Sequence, residues 1–266
     1  MSPHPRCVCS KLGWTISRTC AMQVRAVSIL LAIEPTPATL MLAAQHLYQL
    51  SKHPENDSLF LDASLLMRTL QSLARACPTP AETPVATASA AVLLTAALKN
   101  AANLPEVRTH LATLDSACVF ARLLHSATAL PPTLSADGEP TGVALAVQAL
   151  GAMRALAASP EHAADVVAAG AITCLRGVFA AMPNEATVAY AASRLLAKLT
   201  LDRAAVAEVL AEPPLLNALT ATVQRHGDRP AVALRIAFAL GNLSSSAADA
   251  ATVGSVSLHS SCLQLG

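Results

Sequence analysis

The chain has 266 residues, of which 53% are hydrophobic, 13% charged and 3% aromatic, and its formal net charge is +1. So small a charged share excludes disorder over most of the length. A chain dominated by Ala and Leu and poor in aromatics argues against a sheet protein and for helices packed through small and medium side chains. The near-zero charge balance gives no case for a globally basic nucleic-acid binder, and the longest apolar runs fall short of the roughly 18 residues that span a bilayer.

In chain order, residues 1–36 read as a leader, partly disordered or forming one helix. Before Glu34 this segment has Arg6, Lys11, Arg18 and Arg25 and no acid, a profile shared by organelle transit peptides and by short unstructured leaders. Targeting by residues 1–33 stays open on this reading. From residue 37 the chain alternates long Ala/Leu-rich amphipathic helices with polar breaks. Long helices are predicted over 38–51, 85–102, 142–158, 186–200 and 231–244. Aligned on Leu50, Ala101, Leu156, Leu199 and Leu243, they recur every 51, 55, 43 and 44 residues, and the last two spacings fall in the range of helical repeats of about 40–47 residues. The two longer ones contain loop insertions rich in proline, near 77–84 and 130–141.

After each long helix comes a polar start: Pro54-Glu55, Pro105-Glu106, Pro160-Glu161 or Asp202-Arg203. Proline and an acid suit the first helical turn, where amide groups lack partners and the dipole is positive. Short helices follow, over 161–168 and 203–210. Medium helices are predicted over 65–73, 117–124 and 215–223, and another opens at Gly170-Ala171-Ile172. Each unit is thus a short, a medium and a long helix, and a single unit cannot bury its own apolar faces, so three or more must stack. Residues 247–266 lack this periodicity and read as a flexible or truncated tail, which suggests a fragment of a longer array.

The three-helix unit resembles the armadillo repeat. The residues that carry the resemblance are Leu47-Tyr48-Gln49-Leu50-Ser51, Gly170-Ala171-Ile172 and Leu240-Gly241-Asn242-Leu243-Ser244. The resemblance implies an all-α, armadillo-type α-solenoid over residues 37–246, a right-handed superhelix of about four to five repeats with a groove lined by the third helices. Residues 50–60 and 234–243 are similar to a branch of that family associated with cilia and flagella, which implies an adaptor in axoneme and radial-spoke assembly. In peptide-binding armadillo proteins an Asn late in the third helix holds the ligand backbone, with a Trp one turn earlier. The matching positions are Gln49, Asn100, Ala155, Lys198 and Asn242, and the Trp positions hold Gln45, Ala96, Gly151, Arg194 and Phe238. With two Asn and no Trp, the chain departs from the nuclear-import pattern.

Charge is segregated between the helices. The five long helices carry Lys99, Arg154, Arg194, Lys198 and Arg235 and no Asp or Glu, and the acids lie in shorter helices and loops. A one-signed cleft concentrates its counter-charge and speeds encounter. The expected partner is therefore an acidic or extended protein segment, with Lys99, Asn100, Arg154, Arg194, Lys198, Arg235 and Asn242 as groove residues. The alternative is that these long side chains merely cover an Ala-rich surface.

No catalytic motif is present: the eight His are scattered, and there is no P-loop, no nucleophile elbow and no zinc spacing. Cys7-Val8-Cys9 lacks a second ligand pair. Cys118 and Cys174 read as core fillers, and His46 as a packing or capping residue. No cofactor, metal or membrane is implied, and RNA or DNA is disfavoured by the lack of stacking aromatics. The reading is a non-enzymatic, cytoplasmic scaffold. Its rivals are an organelle-targeted RNA-binding repeat protein and a helical subunit of an enzyme complex.

Overall fold

The computed structural model describes residues 22–33, 35–76, 85–130 and 140–245. Residues 1–21, including Cys7 and Cys9, residue 34, the insertions at 77–84 and 131–139, and the tail from 246 onward lie outside the described residues. Among the described residues the chain is all-helical, with fourteen helices and no strands. They are α1 (Met22–Ala32), α2 (Pro37–Leu50), the 3-10 helix η1 (Pro54–Leu61), α3 (Ala63–Ala76), α4 (Val85–Ala101), α5 (Pro105–Thr113), α6 (Ser116–Ala129), α7 (Thr141–Leu156), α8 (Pro160–Ala168), α9 (Ala171–Ala181), α10 (Ala186–Leu199), α11 (Arg203–Leu210), α12 (Pro213–Arg225) and α13 (Pro230–Ser244).

The helix starts follow from local chemistry. Proline occupies the first turn of α2, η1, α5, α8, α12 and α13, where its missing N–H has no intrahelical partner to lose. Asp202 caps α11, its Oδ1 accepting from Ala204 N at 2.9 Å and Ala205 N at 3.0 Å. Asp62 does the same ahead of α3, accepting from the Ser64 hydroxyl at 2.7 Å and its N–H at 2.9 Å. Those bonds hold the Asp62 carboxyl below its ordinary pKa. In two of the four breaks between short and medium helix a residue takes the left-handed conformation. Gly170 takes it at φ 85°, and Asp115 takes the matching place at φ 54°, where Asp is one of the few tolerated side chains.

Like helices stack on like. The long helices touch in the order α2–α4–α7–α10–α13, the medium ones α3–α6–α9–α12, and the short ones η1–α5–α8–α11. This order is compatible with an α-solenoid. Helix α1, placed in the leader by its sequence, joins the medium series. Arg68 Nη1 donates to Ser28 O at 2.9 Å and Arg75 Nη2 to Leu31 O at 3.4 Å, while Val24, Val27 and Leu31 are buried. Arg122 Nη2 repeats the device one layer on, donating to Ala74 O.

The core runs through the stack as one cluster of Leu, Ala and Val. Alanines let the long helices approach: Ala189, Ala192 and Ala239 are buried between layers, whereas Ala237 is exposed on α13. That outward face of α13 also carries Leu234 and Phe238. The buried hydroxyls of Thr69 and Thr95 bond within their own helices, to Leu65 O and Ala91 O, which removes the cost of an orphaned polar atom, whereas the buried Ser116 hydroxyl has no partner among the described residues.

Candidate functional site

A cleft of about 360 Å³ opens where α4, α7 and α10 lie side by side. Lys99 and Asn100 line it from α4, Arg154 from α7, and Arg194 and Tyr190 from α10. Four of the seven predicted groove residues thus meet in one place. Lys99 and Arg154 share a register, each two residues before its anchor, Ala101 and Leu156. The stem of Lys99 crosses Gly151, where a Cβ would sit 2.8 Å from Lys99 Cδ. Its Nζ then donates to Gln148 Oε1 at 2.7 Å. Arg194 stands over the Tyr190 ring, 5.3 Å from the centroid, within cation–π reach.

The cleft has one sign of charge, and no carboxylate lines it. The contacts of a basic with an acidic side chain among the described residues, Arg176–Glu212 and His53–Glu55, both lie elsewhere. Burial lowers the pKa of Lys99, and Arg154 lowers it further. Burial also lowers that of Arg154, with Arg194 and then Arg235 adding to the shift and Tyr190 opposing it. Arg235, exposed on α13, is therefore close enough to act on the cluster. Lys198 lies half-buried one turn after Arg194 on α10 and does not line the cleft.

The two asparagines have another task. Asn100 Nδ2 donates to Ser51 Oγ at 3.1 Å, and Asn242 Nδ2 donates to Thr200 Oγ1 at 3.0 Å. In each case the Asn precedes its anchor, Ala101 or Leu243, and its acceptor directly follows the anchor of the preceding long helix. One amide N–H of each side chain binds one layer to the next.

A second cleft, of about 220 Å³, gathers Asp115, Cys118, His162 and Asp165. Among the described residues no group of three or more His, Cys, Asp or Glu is placed to hold a metal ion. A hydrogen bond to Asp115, together with burial, raises the Cys118 pKa, which holds the thiol in its unreactive form. Cys118 is exposed, which corrects the expectation that it fills the core, whereas Cys174 is half-buried and packs against the core cluster. Cys118 sits on the side of α6 away from Phe120, Leu124 and Ala127, which hold the core contacts. His46 is exposed, with Nδ1 2.9 Å from Leu42 O of its own helix.

Sequence reasoning missed Gln148 and Tyr190. Tyr190 was within reach of it, since it lies four residues before Arg194 on one helix face. Gln148 was not, because its role depends on where the neighbouring layer lays Lys99.

A pH dependence follows from the cluster. A lysine with a folded pKa below the ordinary 10.5 holds fewer protons folded than unfolded in the window just below that value, so stability rises with pH there. Arg154→Gln is expected to stabilise the fold by about 0.5 kcal/mol at neutral pH by removing the repulsion. That advantage should shrink as pH rises through the window. Urea denaturation of both proteins between about pH 8 and 10.5 measures it. An advantage independent of pH would show that the two charges do not interact.

No protein-family model and no curated protein matches the chain. Among the described residues no single helix is long and apolar enough to cross a membrane.

Proposed function

We propose that this chain is an armadillo-type α-solenoid, coiled as a right-handed superhelix, that serves as a non-enzymatic scaffold and takes an acidic segment of a partner protein along its long-helix face. The observation that carries the reading is the convergence of Lys99, Arg154 and Arg194 in a cleft with no carboxylate. Partly buried like charges cost stability, and an acidic partner relieves that cost as it binds. The layer order, long helix upon long helix, supports the repeat architecture. The left-handed break at Gly170 supports the armadillo form of it. The cleft offers chemistry no acid–base pair, since every titratable group lining it except Tyr190 is a cation. The two stretches similar to ciliary armadillo proteins point to cilium or flagellum assembly as the setting.

The test is fluorescence anisotropy of a fluorescein-labelled oligoglutamate peptide with the full chain. Binding is expected to weaken with added salt and to fall at least about tenfold in Arg154→Glu/Arg194→Glu. Circular dichroism melting should show the double variant folded and at least as stable as the parent, since the repulsion within the cluster is removed. Equal binding by the double variant, or equally tight binding of a single-stranded RNA of the same length, would overturn the proposal.

A further inference from the structure

We propose that the cleft between α4, α7 and α10 receives a doubly charged phosphomonoester carried by a protein segment, a phosphoserine or phosphothreonine side chain, in preference to a carboxylate. This deepens the reading above and rests on it.

Charge balance is the first argument. Lys99, Arg154 and Arg194 line one cavity, and no acid lines it. The hydrogen-bond partner of Lys99 is the neutral Gln148. A single carboxylate leaves at least two of the three cations uncompensated. A phosphomonoester carries about −1.5 to −2 at neutral pH and compensates up to two of the three, leaving the rest for acidic residues beside it.

The supply of donors is the second. Each guanidinium presents five N–H groups in a planar fork that matches phosphate oxygens two at a time. Four arginines outside the cleft spend these groups on backbone carbonyls: Arg68 on Ser28 O, Arg75 on Leu31 O, Arg108 on Ala102 O and Asn103 O, and Arg122 on Ala74 O. Arg154 and Arg194 donate to no protein acceptor among the described residues, and Arg194 is held only by its stacking on Tyr190. Their donors are available in a place where three are needed at once, and phosphate brings three acceptor oxygens.

Size and surroundings select a protein segment as the carrier. About 360 Å³ lies near the lower end of small-ligand pockets, enough for a phosphorylated side chain with its backbone at the mouth. Val147, Ala155 and Ala191 offer apolar walls to flanking residues. A nucleotide base would find a single aromatic ring in the cleft, Tyr190, with one face taken by Arg194. Beyond the cleft, Lys198 and Arg235 continue the positive charge and suit acidic residues on either side of the phosphate.

The test uses three fluorescein-labelled peptides identical except at one central position, which is Ser, Glu or phosphoserine, with Asp flanks, titrated against the full chain by anisotropy. The phosphoserine peptide is expected to bind about tenfold tighter than its Glu twin. Arg154→Gln, and separately Arg194→Gln, should abolish that difference, while Lys198→Gln weakens both peptides alike. Equal affinity of the phosphoserine and Glu peptides overturns the inference. So does a phosphoserine preference that survives Arg154→Gln, and so does capture by vesicles containing phosphatidylinositol 4-phosphate without phosphopeptide binding. Oligoglutamate binding separates the two levels. If it persists and is lost in Arg154→Glu/Arg194→Glu while phosphoserine has no advantage, the inference falls and the acidic-partner reading stands. If it is absent, the reading itself falls.

Discussion

Leu145→Ala is expected to destabilise the protein by about 2–5 kcal/mol, the range for deleting a fully buried leucine side chain and leaving a cavity. Leu145 is 0% exposed, in the helix that touches α4 on one side and α10 on the other while also packing on α5, α6 and α8. Each layer of a stacked array is stabilised by its neighbours, so a defect in the middle weakens two interfaces at once. Against a total of roughly 5–15 kcal/mol for a domain, the loss should separate the array into two halves that melt apart. Urea denaturation followed by circular dichroism would show a lower midpoint and a broadened or biphasic transition. Ile236→Ala is the control. Ile236 is equally buried, but among the described residues α13 has a long-helix neighbour on one side only, so the same kind of deletion there should disturb one interface and leave a single main transition. Indistinguishable curves for the two variants would refute the stacked-layer account of stability.

The second large effect concerns glycines. Gly142→Ala places a Cβ 2.6 Å from the carbonyl oxygen of Ala127. That contact is against backbone, so α6 and α7 must move apart, at a cost of about 1–3 kcal/mol for an overpacked core. Gly177 and Gly241 also lie within helices, yet a Cβ there meets nothing within 4 Å. Their alanine variants should each gain about 0.5–1 kcal/mol from reduced backbone freedom in the unfolded chain. Thermal melts of the three variants should therefore move in opposite directions. A stabilised Gly142→Ala would mean that α6 and α7 are not in close contact.

Much of this protein is determined locally and is legible from its sequence alone. The helix at Arg203–Leu210 has its predicted ends, and those at Val85–Ala101 and Ala186–Leu199 are within one residue of prediction. Apolar periodicity, first-turn prolines and the glycine at 170 act over a few neighbouring residues, so no knowledge of the fold is needed to read them. The order of short, medium and long helices is legible for the same reason.

Tertiary structure alone decided what each side chain faces. Successive residues on a helix point about 100° apart, so a small rotation of one layer against the next changes which side chains meet. It brought Lys99, Arg154 and Arg194 into one cleft but left Lys198 outside it. It bound the amides of Asn100 and Asn242 to the hydroxyls of Ser51 and Thr200, and it turned Cys118 outward. Helix α1, in a segment that composition marks as a leader, is held in the medium series by Arg68 and Arg75 from a helix some forty residues away. Local pattern determines that a helix forms, whereas the contacts between layers determine its rotation and its neighbours.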